Sequence, residues 1–348
     1  MNLKKLSALI FLVTVFITSS SANKIFVSPA GNDSNSGTKK HPLKTLSQAK
    51  IKAYQLLKQR ENEAVTIWLA DGIYLLTEPL KIEADSLSSE NGSICFRAIK
   101  GAKPVVSGGT RVTGWTKNNN GLWIARLPEN TGKRVQPREL FIDGKRAVRA
   151  RHPNSGYLRI KEAGADNRTN FYFTKGDFPV VKSTANMELI LLHDWSISRI
   201  AIKSIDTVEN KLTAVDSIGA RNPEFFDISY WEPNPRYFLE NAPEFLDKDF
   251  EWAYQKENRQ LLLQLPENVN PDELQIVIPV AESLLSFEGK ENNPVKNISF
   301  EGIAFQYCNW QIPDKGYCGV QACHIDPRPF NEGWAVVPAA IQAVWAEN

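Results

Sequence analysis

The chain has 348 residues, with 41 Lys and Arg against 39 Asp and Glu and a formal net charge of +2. So even a balance argues against a partner captured mainly by charge, such as nucleic acid or an anionic membrane. Nine Trp and nine Tyr offer aromatic surface for stacking on sugar rings, although most side chains of this kind are core in any protein.

Residues 1–22 set Lys4 and Lys5 before the apolar run LSALIFLVTVFI and the small residues Ser20, Ser21 and Ala22. This is the pattern of a cleaved secretory signal, too short for a membrane span, and it predicts a periplasmic or secreted protein with no membrane attachment after cleavage. Its loss removes two lysines and no acid, leaving 39 basic against 39 acidic residues.

In residues 25–49, IFVSPAGNDSNSGTKKHPLKTLSQA, a short apolar strand enters a Gly/Asn/Asp/Ser loop and then a helix. Thr45 and Gln48 are spaced as reciprocal cap partners, and Leu46, Ala49, Ala53, Leu56 and Leu57 share one helical face. Asp33, Asn35 and Gly37 read as turn chemistry, because no Glu follows at the distance a calcium loop requires. Nothing else predicts a metal or cofactor. Brief strand-like runs follow at 65–69, 80–82, 94–98 and 104–107, each bounded by turn residues. Cys95, inside SICFRAI, is expected to be a buried thiol.

From 110 to 279 the pattern changes to longer alternating strands and hairpin signals, with tight turns at Asp143-Gly144 and near 256–258. The basic cluster Lys145, Arg146, Arg149 and Arg151 could meet an acidic polysaccharide, but with Glu139 and Asp143 close by it is expected on a solvated face paired with those acids. His193, Asp194 and Trp195 form no constellation, since neighbours on a strand point to opposite faces. Short units then return at 284–289, 297–307 and 339–348. Glu301 reads as a solvated strand residue, and Glu301 and Glu347 do not align as an acid pair. The loop 309–334 interrupts this last series and is the candidate substrate-binding element, with Trp310 and Tyr317 as sugar platforms and Gln321 and His324 as hydrogen-bond partners. A packed cover is the equally weighted alternative for that loop. Cys318 and Cys323 share it and are one possible disulfide.

The opening stretch through VTIWLADGIY closely resembles the entrance of secreted right-handed parallel β-helix proteins. The phrases ELFIDGKRAVRARHPN and RYFLENAPEFLDKDFEWAYQKENRQLLL resemble the β-sandwich insert of bacterial β-helix glycoside hydrolases, a group that includes pectin-acting α-L-fucosidases and xylanases. The resemblance implies an all-β chain: a right-handed parallel β-helix with an N-terminal capping α-helix and an inserted antiparallel β-sandwich-like domain. The implied division is a signal at 1–22, cap and first coils at 23–109, the insert at 110–279, and continuing, truncated coils at 280–348. It also implies a polysaccharide or oligosaccharide substrate and hydrolysis by two carboxyl groups. Adjacent coils stack about 4.8 Å apart, so acids one or two coils apart approach the roughly 5 to 9.5 Å separations such chemistry uses. No position in this chain matches the family's catalytic acids, which are expected past Asn348. The chain is therefore read as the N-terminal portion of a longer enzyme, inactive alone. A polysaccharide lyase or epimerase on the same scaffold, and a non-catalytic glycan-binding surface protein, remain the alternatives.

Overall fold

The computed structural model describes residues 23–59, 63–84, 92–132, 135–193, 196–220, 226–230, 232–319 and 337–347. The expected signal at 1–22 lies outside them. The described residues are mostly β, with one α-helix, Leu46–Gln59.

Three short parallel sheets draw strands from both ends of the described chain. One contains Lys24–Val27, Ala64–Leu69, Ser93–Ala98 and Ile298–Glu301, in that order. A second joins Gly72–Leu75, Pro104–Ser107 and Ala304–Gln306, and a third joins Leu80–Glu83, Leu285–Glu288 and Ile341–Val344. The alternation of side chains explains which residues meet: Val65, Ile67 and Leu69 are buried while Ala64, Thr66 and Trp68 face outward. Neighbouring strands lie in register, so like residues stack. Phe96 stands opposite both Ile67 and Phe300, and its ring lies 4.6 Å from that of Phe300 and nearly parallel to it. A single core gathers Val27, Ile67, Ile82 and Phe96 with Leu284, Leu285 and Val295.

The helix closes one side of this core. Leu46, Ala49, Ala53 and Leu57 are buried as expected, joined by Tyr54, whose hydroxyl burial pushes up to about 12. Only half of the expected capping box forms. The Gln48 N–H donates to Thr45 Oγ1 at 3.2 Å, but the Thr45 N–H and hydroxyl donate to Asp33 at 2.8 and 2.9 Å. Asp33 also accepts from the Lys44 N–H, so the Asn/Asp loop anchors the helix start.

Two expectations need correction. Cys95 is half-exposed, because Ile94 and Phe96 take the inward positions of its strand and its sulfur lies 3.4 Å from Glu301. The unit at 297–307 is two strands in different sheets, turned at Gly302 with φ +68°. The strand Gly72–Leu75 was not anticipated; its Ile73 and Leu75 are exposed, which masks the apolar period.

The antiparallel region leaves and rejoins the parallel sheets at one point. Gly108 O accepts the N–H groups of Val280 and Ala281 at 2.7 and 3.0 Å, and Gly109–Arg111 pairs antiparallel with Ile276–Pro279. A β-carbon on Gly108 would lie 2.7 Å from Tyr307 O. These two strands belong to a sheet of four, and sheets of five and nine strands, the latter including Tyr317–Cys318 from later in the chain, complete the region around two cores. The Asp143-Gly144 turn forms with both residues at positive φ, and the hairpin Glu251–Gln255 with Gln260–Leu263 forms at its expected turn. All pairings here are antiparallel except Val148–Arg149 with Glu251–Gln255. Among the described residues no helix is long and apolar enough to cross a membrane.

Candidate functional site

The segment after the parallel strands returns to lie against the antiparallel region. Tyr317–Cys318 adds to the strand Ser196–Asp206, with Tyr317 opposite Arg199 and Cys318 opposite Ser198. Trp310 meets Tyr317 edge-on, with ring centroids 5.5 Å apart, and the Arg138 guanidinium sits 5.2 Å from the Trp310 ring centroid. Gln311 reaches Gln136 O at 3.5 Å. The structure thus brings Trp310 and Tyr317 together, while Gln321, His324 and Cys323 lie outside the described residues.

Beneath this segment is a buried charge network. Glu188 opens the strand Glu188–His193 and lies opposite Glu240 on Arg236–Glu240. Arg138 grips Glu188 with two bonds of 2.5 and 2.6 Å, and Arg149 reaches Glu188 at 2.9 Å and Glu240 at 3.4 Å. Arg199 completes the set at 2.9 Å from Glu240. Arg149 is only 10% exposed, so its expected solvated position is corrected. The two-residue strand Val148–Arg149 turns it inward onto the Trp252 ring, whereas Lys145 and Arg146 stay exposed.

Burial alone would raise the Glu188 carboxyl, but Arg149, Arg138 and Arg199 outweigh that and hold it far below the usual carboxylate range. A carboxylate held so firmly ionised cannot serve as a proton donor near neutral pH. Glu301 is likewise committed: it takes Arg97 through bonds of 2.6 and 2.8 Å on the outer face, and this lowers its carboxyl. Glu347 pairs with Lys296 in a different sheet from Glu301, so the two form no acid pair. Glu251 moves upward through burial, yet it accepts the backbone N–H groups of Asp247 and Lys248 and so caps a turn.

The network forms one wall of a cavity of about 130 Å³ whose lining includes Gln136, Arg138, Glu188, Gln311 and Asp314. Asn241 braces it: its side-chain amide donates to Asn186 O and Tyr254 O and accepts the Tyr254 N–H, at 2.7 to 3.0 Å. Ligand pockets usually run to roughly 300 Å³ or more, so this space admits only a small group. Arg149 Nε, buried, has no hydrogen-bond partner among the described residues. At the far end of the Glu188–His193 strand, His193 Nε2 lies 2.8 Å from Ser198 Oγ, which accepts the Gly219 N–H. These bonds give the ring a structural role; Asp194 and Trp195 lie outside the described residues. Among the described residues no group of three or more His, Cys, Asp or Glu could hold a metal.

Arg138, Arg199, Glu188 and Glu240 were not singled out from the sequence. Arg138 and Glu188 are 50 residues apart, and no local spacing signals such a pairing.

Residues 120–266 match the family described as the GH141 insertion domain. A solved structure described as a glycoside hydrolase is similar over 85% of this chain and 52% of its own, with 26% identity and a TM-score of 0.74. The chain therefore spans about half the length of that structure. A second, described as the complex of XylC with xylose, shares 14% identity over 82% of this chain and 35% of its own, with a TM-score of 0.37. No curated protein matches. In sequence over residues 120–266, and in fold over most of its length, the chain is similar to glycoside hydrolase proteins.

Proposed function

We propose that the chain is the scaffold and glycan-contacting portion of a secreted glycoside hydrolase that cuts a plant or algal polysaccharide. In this reading residues 23–109 cap and begin a right-handed parallel β-helix, residues 110–279 are an inserted sandwich, and residues 280–348 resume the coils. The observation that carries it is the likeness to a glycoside hydrolase over 85% of the chain, together with the insertion-domain match. Strands from both ends sharing three parallel sheets support the coil assignment. Trp310, packed against Arg138, and Tyr317 contact the sugar, and Gln321 and His324 of the same loop are proposed as its hydrogen-bond partners.

Glu188, Glu240 and Glu301 are tied to arginines and Glu251 to backbone, which favours a general acid other than these four. Purified protein carrying this chain and any coils encoded after it should release new reducing ends from pectic or xylan polysaccharide. An unsaturated ultraviolet-absorbing product would point to a lyase instead. Binding without any cleavage across both polymers would leave only the non-catalytic glycan-binding reading.

A further inference from the structure

The antiparallel region carries a second, larger depression, with a volume of about 590 Å³ against about 130 Å³ for the cavity at Arg138. It lies between residues 173–184 and the end of the strand Ser196–Asp206. Phe173, Phe178, Val181 and Ile205 supply its apolar surface, with the two Phe rings 4.5 Å apart and Val180, 81% exposed, on the same wall. Ser183, Thr184, Ser204, Thr207 and Asn210 add small hydrogen-bonding groups.

Its charge pattern is one-sided. Lys175, Lys182 and Lys203 line it, all exposed, and no Asp or Glu does. Elsewhere in this region Arg138, Arg149, Arg159, Arg199 and Arg236 each hold a carboxylate. These three lysines have no ion-pair partner among the described residues. Acids close by in the chain or fold are committed to backbone: Asp177 accepts the Thr174 N–H, Glu244 the Lys182 N–H, and Asp206 those of Val208 and Glu209. The nearby acids keep their charge but lie off the lining, so the surface of the groove itself presents ammonium groups and no carboxylate.

We propose that this groove binds a short uronate-bearing stretch of polysaccharide, holding the polymer at a point separate from the cavity at Arg138. Apolar side chains take the C–H faces of the sugar rings, hydroxyl and amide groups take ring hydroxyls, and the ammonium groups take the uronate carboxylates. The volume is that of an ordinary ligand pocket. Because the lysines are exposed, their attraction is screened by salt. The inference rests on the carbohydrate reading above and names the sugar class the insert selects.

The test is calorimetric binding of a galacturonic acid oligomer to the full chain, beside a neutral xylo-oligosaccharide of equal length, polyglutamate, and vesicles containing phosphatidylserine. The combined variant Lys175→Ser, Lys182→Ser, Lys203→Ser changes only exposed side chains and should keep the wild-type melting curve. We expect the galacturonate oligomer to bind wild type, more weakly as salt rises, and the triple variant to bind it about tenfold less tightly, the sum of three exposed charge contacts. Phe178→Ala should weaken it as well. Equal affinity of wild type and triple variant, or no binding of the oligomer to wild type, overturns the proposal. Polyglutamate or the vesicles binding as tightly as the oligomer overturns it too, since the groove would then be a general anion or lipid surface. Loss of hydrolysis in the longer protein with galacturonate binding intact would remove the proposed function and leave the groove standing.

Discussion

Replacing Glu188 with Gln isolates the buried network, because Gln keeps the shape and one acceptor but removes the charge that Arg138 and Arg149 share. The side chains of Arg138, Arg149 and Glu188 are 9, 10 and 13% exposed, so water cannot replace the lost partner. Removing one member of such a buried set costs about 3–5 kcal/mol. At roughly 2–4 °C per kcal/mol for a unit of this size, the melting temperature should fall by about 10 °C. The sign of the pH dependence follows from the depressed carboxyl. Its stabilisation is complete above the unfolded-state value near 4.5 and is lost as pH falls from there toward the much lower folded value. The gap between wild type and Glu188→Gln should therefore be full at pH 7 and shrink below about pH 4.5. Calorimetric melting of both proteins from pH 3 to 8 measures it. Equal stability at pH 7, or a gap that widens in acid, refutes the reasoning.

Phe96→Ala removes a fully buried ring stacked on Phe300 and should cost about 3–5 kcal/mol in urea unfolding. Gly108→Ala drives a methyl to 2.7 Å from Tyr307 O, and overpacking there should cost about 1–3 kcal/mol, read as a lower urea midpoint. Asp33→Ala leaves the Lys44 and Thr45 N–H groups without their acceptor. It should cost about 1 kcal/mol, with faster hydrogen exchange confined to the first helical turn.

Local signals carried the parts of the fold that local physics decides. The helix face from Leu46 to Leu57 follows from the 3.6-residue period, and the Asp143-Gly144 turn from the positive φ both residues adopt. Parts that depend on distant partners did not show. Thr45 was expected to cap with Gln48, but Asp33, twelve positions earlier, takes its N–H and hydroxyl. Arg149 reads as one of four surface cations until Glu188 and Glu240 arrive on other strands. Cys95 sits in an apolar run, and only its register between Thr66 and Ser299 shows that it faces outward. For the candidate site, the sequence drew attention to Trp310 and Tyr317 through the length and aromatic content of their loop. It gave no sign of the Arg138 guanidinium packed against Trp310.

The pairing of Cys95 with Ser299 offers the most direct test that strands from before and after the antiparallel region build one stack. Parallel neighbours stand about 4.8 Å apart, within the span a disulfide bridges. Mild oxidation of the Ser299→Cys variant, followed by digestion and mass spectrometry, should yield a disulfide-linked peptide pair containing residues 95 and 299. Recovery of both thiols fully alkylated under conditions that oxidise a positive-control pair would contradict the shared stack and the scaffold built on it.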